Sequence, residues 1–143
     1  MRSSGQLGIV DDMDMRCLLV DDDARFLKVA RALLERQGIA VVGVATTSAE
    51  ALHRTEELRP DVLLLDINLG SESGFELARR VDEGAVADGG RPEIIFISGH
   101  AQEDFEDLIE ASPAVGFLDK TELSATAIRD LLRPSSGCTN GRL

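Results

Sequence analysis

Leu18-Leu19-Val20-Asp21-Asp22-Asp23 sets three apolar residues directly against three acids, and Val62-Leu63-Leu64-Leu65-Asp66 repeats the device further along the chain. An unbroken apolar run that stops at an acid reads as a buried parallel strand, covered on both faces and delivering charge to one edge of a sheet. On either side of these two runs, short apolar stretches alternate with longer segments whose apolar residues recur at three and four. That alternation is the mark of β/α units around a parallel sheet.

The pattern predicts a first strand at Arg16–Val20 and a helix capped by Asp23, carrying Phe26, Val29, Ala30, Leu33 and Leu34 inward until Gly38 stops it. A second strand follows at Ala40–Ala45. Thr47 or Ser48 starts a second helix with Ala51, Leu52, Thr55 and Leu58 inward, ended by Pro60. The third strand is Val62–Asp66, and after a Gly/Ser/Asn loop a third helix spans about 74–83 with Phe75, Leu77, Ala78 and Val81 inward. Residues 84–92 are rich in breakers. A fourth strand at Glu93–Ser98, a short acidic helix at 103–110, a fifth strand at 115–118 and a last helix at 123–132, stopped by Pro134, complete five strands and five helices.

At 143 residues the chain suits one domain with a real core. Residues 1–14 and 134–143 lack apolar periodicity and read as a disordered extension and a flexible tail around a domain at 15–133, with Met1, Met13 or Met15 as the start. A net charge of -11 disfavours nucleic acid and anionic membrane as direct partners. Cys17 and Cys138 have neither pair nor metal-ligand spacing and read as reduced thiols. There is no membrane-length apolar stretch and no signal-peptide core, so the expected location is cytoplasmic.

In an open parallel sheet, ligands bind beyond the carboxyl ends of the strands. The strands deliver there Asp21 and Asp22, Asp66, Ser98 and Lys120, while Thr46 and Thr47 after the second strand look ordinary. Converging carboxylates repel by roughly 4 kcal/mol per close pair at an effective dielectric near 20, so they call for a cation or a proton. Mg²⁺ suits hard oxygen donors and phosphate. Ser98 and Lys120 would serve an anion beside the metal, and a carboxylate can accept a phosphoryl group covalently.

Blander readings stand beside these. Asp23 alone suffices for a helix cap, Ser98-Gly99 is a common turn pair, and Phe117 is as readily a core residue as anything else. His53 and His100, without a second ligand at metal spacing, read as solvated, as does the acidic run at 103–107.

Residues from about 16 to 132 resemble the receiver domain of two-component response regulators. The resemblance implies a flavodoxin-like α/β fold: a doubly wound, five-stranded parallel sheet of strand order 2-1-3-4-5. It makes Asp66 the phosphoacceptor, gives Mg²⁺ to Asp21, Asp22, Asp66 and the backbone carbonyl of Asn68, and assigns Ser98 and Lys120 to the phosphoryl group. Ser98 and Phe117 become the switch pair, Gly99 leaves access, and His100 helps set the phosphoryl lifetime. The implied partners are a sensor histidine kinase or histidine phosphotransfer protein, and a downstream protein or second copy on the face of helix four, strand five and helix five. No enzymatic activity beyond self-phosphorylation and autodephosphorylation is implied.

Two departures from the family pattern stand out. Thr121 follows Lys120 where proline is usual, and the loop after Asp66 lacks its usual proline. The first favours an alternative, a receiver-like interaction domain that works without phosphorylation. An aspartate-nucleophile phosphatase would want a second acid where Asn68 stands, and no glycine-rich nucleotide loop is present.

Overall fold

Parallel strands β1 (Arg16–Val20), β2 (Ala40–Ala45), β3 (Val62–Asp66), β4 (Glu93–Ser98) and β5 (Gly116–Asp119) form one sheet in the order 2-1-3-4-5. Helices α1 (Ala24–Arg36), α2 (Ser48–Leu58), α3 (Gly74–Asp88), α4 (Glu106–Glu110) and α5 (Ala125–Leu132) connect and cover it. This computed structural model describes residues 15–70, 72–88, 92–99 and 106–132. The expected terminal extensions, His100, Cys138, the first residues of the acidic run and the start of the fourth helix lie outside the described residues.

Successive strand residues point to opposite faces, and this period of two divides the core. Cys17, Leu19, Leu64, Ile95, Ile97 and Leu118 pack beneath Leu27, Ala30 and Leu34 of α1 and Ala125 and Ile128 of α5. Leu18, Val20, Leu63, Leu65, Ile94 and Phe96 face the other way, against Ala51, Leu77, Ala78, Val81 and Ile109 of α2, α3 and α4. Every residue of β3 is buried, as a central strand covered on both faces requires. Cys17 lies inside this core, and burial pushes its thiol up to about 12, so it is an inert apolar filler.

Register aligns the strand ends. Val20 pairs with Leu65, Asp66 with Ile97 and Ser98 with Asp119, so the residues at and just after these positions share one edge.

Four details depart from the expected elements. Leu27, not Val29, is buried on α1, and Val29 is 66% exposed. At about 100° per residue, two positions turn about 200° and carry Val29 to the far side of Leu27. Helix α3 runs on through Gly84 to Asp88, because one glycine costs only about 1 kcal/mol against alanine and Ala85, Val86 and Ala87 follow it. Strand β5 lies one residue later than its apolar run: the hydrogen-bonded ladder ends at Asp119, while Val115 is exposed at the sheet edge. Finally, α5 starts at Ala125, since Ser124 Oγ accepts from Ala127 N–H and so caps it, and a 3₁₀ turn, Lys120–Glu122, precedes it.

Two glycines on one helix have opposite expected responses to alanine. A Cβ on Gly84 meets nothing within 4 Å, so Gly84→Ala is expected to raise stability by about 1 kcal/mol, seen as a higher urea midpoint. A Cβ on Gly74 would fall on the Asp66 carbonyl oxygen and lie 2.9 Å from Ile67 Cα, all backbone, so Gly74→Ala is expected to lower the midpoint.

Candidate functional site

The β1–α1 turn is built by its own acids. Asp21 is fully buried; its Oδ1 accepts from Asp23 N–H at 2.8 Å, while its own N–H bonds Ala45 O at 3.0 Å. Asp23 in turn caps α1, its Oδ1 accepting from the N–H groups of Arg25 (3.0 Å) and Phe26 (3.4 Å). Asp22 between them is exposed. One acid is spent on the helix, leaving two for the site.

At the end of β3, Asp66 is 5% exposed and its Oδ1 accepts from Asn68 N–H at 3.2 Å. The loop beyond is a small antiparallel ladder pairing Asn68 with Ser73 and Leu69 with Glu72, closed at Gly70 in the left-handed region (φ 65°). Leu69 is buried, Glu72 Oε1 accepts from Ser48 N–H at 2.8 Å, and Ser73 Oγ accepts from Phe75 and Glu76 N–H at the start of α3. This loop is pinned at both ends without the proline usual in the family.

Lys120 reaches in from the end of β5. Its Nζ stands 2.6 Å from Asp21 Oδ2 and 3.6 Å from Asp66 Oδ2. The turn that launches it is held by Asp119, whose Oδ1 accepts from both Thr121 N–H (2.8 Å) and Thr121 Oγ1 (2.6 Å). Thr121 therefore secures this turn by hydrogen bonding where a proline would do so by its ring. Ser98, 1% exposed, ends β4 between β3 and β5. Phe117, half-buried, pairs in register with Phe96 and packs on the α2–α3–α4 side. That position is compatible with both expected readings of it.

Electrostatics follow from this crowding. Burial, then the Asp21 carboxylate, push the Asp66 carboxyl up to about 7, against the pull of Lys120 and the Asn68 N–H. For Lys120, burial opposes the charged form, but Asp21, Asp66 and Asp23 outweigh it and hold its ammonium above the usual lysine range.

A divalent ion fits these residues. Carboxylate oxygens of Asp21, Asp22 and Asp66 lie within 4.8 Å of one another, all hard donors. Buried Asp21 Oδ2 is met by the Lys120 ammonium at 2.6 Å, and a carboxylate oxygen with more than one lone pair can face a further cation as well. Of the residues expected here, Asp21, Asp22, Asp66 and Lys120 come together; Asn68 and Ser98 flank them, and Phe117 stands apart on β5.

Two contributors escaped the reading of the sequence. Asp119 is recognisable from an acid two residues before Thr121, the spacing of a side chain that caps its own turn. Phe26 was expected only in the core, yet its ring lies under the Lys120 ammonium, 4.6 Å from the centroid, a contact no local pattern announces.

Comparison with known proteins agrees with this geometry. The sequence model of the response regulator receiver domain matches residues 17–133. An uncharacterized response regulatory protein from Vibrio cholerae is 34% identical over 127 residues, covering 83% of this chain and 49% of that protein. A protein-glutamate methylesterase/protein-glutamine glutaminase from Koribacter versatilis is 32% identical over 98 residues, 68% of this chain and 26% of that protein. The chain thus spans half or less of the length of these two relatives. Among solved structures, a LuxR-family two-component response regulator from Aurantimonas sp. SI85-9A1 superposes with TM-score 0.73 at 28% identity, over 83% of this chain and 85% of that one. The response regulator domain of Thermotoga maritima CheB, at TM-score 0.70 and 24% identity over 89% and 99%, shares the fold. With its sheet order, its acid-and-lysine edge and this match over most of its length, the chain belongs to the response regulator receiver domain family of two-component systems.

Proposed function

We propose that this receiver accepts a phosphoryl group on Asp66 from a phosphohistidine of a sensor kinase or phosphotransfer protein. The observation that carries the reading is the Lys120 ammonium, 3.6 Å from the Asp66 carboxylate inside a cluster of acids suited to a divalent ion. An Asp66 carboxylate oxygen attacks phosphorus, the P–N bond to the donor imidazole breaks, and the imidazole leaves with the bonding pair and takes up a proton. The product is an acyl phosphate. Asp21, Asp22, Asp66 and the Asn68 carbonyl hold Mg²⁺, which when bound neutralises charge on the phosphoryl oxygens. Lys120 pairs with one of those oxygens and the Ser98 hydroxyl donates to another.

Output then passes by protein contact. Ser98 and Phe117 sit on neighbouring strands, β4 and β5, and bias the face of α4, β5 and α5, where Leu108 and Val115 already expose apolar side chains. The occupant of that face is a downstream protein or a second copy. No helix of the described residues is long and apolar enough to cross a membrane, and we place the protein in the cytoplasm, where such donors work. The domain proper occupies residues 15–133. Its chemistry is confined to gaining and losing its own phosphoryl group. The phosphorylation-independent alternative drew on the missing proline after Lys120, and the Asp119–Thr121 bonds weaken that argument.

Acetyl phosphate with Mg²⁺ is expected to label the wild-type protein at Asp66. Phos-tag electrophoresis and intact mass should show the added phosphoryl group, and Asp66→Asn should abolish it; undiminished labelling of that variant would overturn the assignment.

The raised Asp66 carboxyl also gives a signed pH dependence. Its value in the fold, about 7, exceeds the ordinary 3.8, so the metal-free fold retains a proton that the unfolded chain has lost between those limits. The contribution of this group to stability is therefore full below about pH 4 and falls as pH rises to about 7. Thermal melts of metal-free wild type against Asp66→Asn should show this loss only in the wild type. Because Mg²⁺ competes with the same proton, its affinity should fall by up to about tenfold per unit below about pH 7, measured by titration calorimetry.

A further inference from the structure

Lysine carries its charge on a flexible four-carbon stem that loses rotamer freedom when it is fixed, so an ammonium aimed at a site needs walls. Lys120 reaches from β5, an edge strand, to Asp21 after β1, and β4 and β3 lie between these strands. On arrival it meets the ring of Phe26, its Nζ 4.6 Å from the centroid. That ring is not placed at random. Asp23 caps α1 through the N–H groups of Arg25 and Phe26, and Asp23 N–H is itself bonded to Asp21 Oδ1. One turn thus presents both the buried carboxylate and the aromatic face to the same ammonium.

We propose that Phe26 is a positioning residue for Lys120, its ring face and the Asp21 carboxylate together holding the ammonium beside Asp66. The face of a benzene ring carries the negative lobe of its quadrupole and attracts a cation, while the flat carbon surface keeps water off one side of it. An aliphatic residue of similar reach would supply the wall without the attraction. The use of this placement, pairing with an incoming phosphoryl oxygen, rests on the acceptor reading of Asp66; the placement itself does not.

The test has two arms. The chain contains only two lysines, Lys28 and Lys120, so protein grown on ε-¹³C-lysine shows two resolved ε-CH₂ signals by NMR. The Lys120 ε-protons are expected upfield of those of exposed Lys28 by ring current, returning toward them in Phe26→Leu; no displacement, or none lost in the variant, overturns the proposal. In the second arm, Asp66 labelling by acetyl phosphate is timed. Phe26→Leu should slow it about fivefold and Phe26→Trp should keep the wild-type rate, as expected for a partly desolvated cation–π contact. In a Lys120→Met background Phe26→Leu should have no further effect. An equal fold-loss in both backgrounds would mean that Phe26 only supports the fold, and a wild-type rate in Phe26→Leu would also overturn the proposal. If wild type itself takes no label, the acceptor reading of Asp66 fails and the NMR arm alone decides the placement.

Discussion

Three carboxylates held within 4.8 Å of one another, two of them buried, form the constraint on which this edge of the molecule depends. With all three ionised, the one ammonium facing them balances a single charge, and the two that remain match the charge of a divalent ion. Asp66 registers both its burial and the crowding: burial first, then the Asp21 carboxylate, push its carboxyl to about 7 although a lysine stands beside it. A site of this kind is stable only inside a frame that does not relax. The sheet supplies it: β3 is buried along its whole length, and packed cores lie on both faces.

The same local device recurs after three of the strands that feed the site, β1, β3 and β5. Asp21, Asp23, Asp66 and Asp119 each accept, through Oδ1, the N–H of the residue two places on, at 2.8, 3.0, 3.2 and 2.8 Å respectively. For Asp21 and Asp66 this has a functional corollary. Oδ1 is engaged by the turn, so the carboxylate plane is set, and Oδ2 is the oxygen that meets the Lys120 ammonium. Side-chain orientation at the site is thereby written into three short turns rather than into distant packing.

This division explains what the sequence made legible. Runs such as Val62-Leu63-Leu64-Leu65 announce a doubly covered strand because nothing else needs such continuous apolarity, and the polar residues that follow are then at one edge by topology. The elements that were misplaced are those where apolarity is ambiguous. On α1, Val29 fits a helical spacing with Phe26 and Leu33 as well as Leu27 fits one with Ala30 and Leu34, and it is Leu27 that the sheet covers. The edge strand β5 was shifted because its end is set by pairing with Ser98, not by composition. The contact between Phe26 and Lys120 joins residues far apart in sequence and follows from the spatial meeting of α1 with the turn after β5.

The two prolines usual in the family and missing here bear on the same point. Each is replaced by hydrogen bonds that a reader of the sequence could have weighed: the Asp119–Thr121 pair after β5, and the ladder with Glu72 and Ser73 after Asp66. Proline restricts one backbone angle and forgoes a donor, whereas these bonds keep the donor, closing the turn after β5 on itself and tying the loop after Asp66 to its neighbours. Glu72 reaches the N-terminus of α2 and Ser73 that of α3, so the loop after the acceptor aspartate is coupled to two helices at once. A displacement at Asp66 or Asn68 would therefore be felt at both helix starts, whereas a proline would stiffen the loop without connecting it to either.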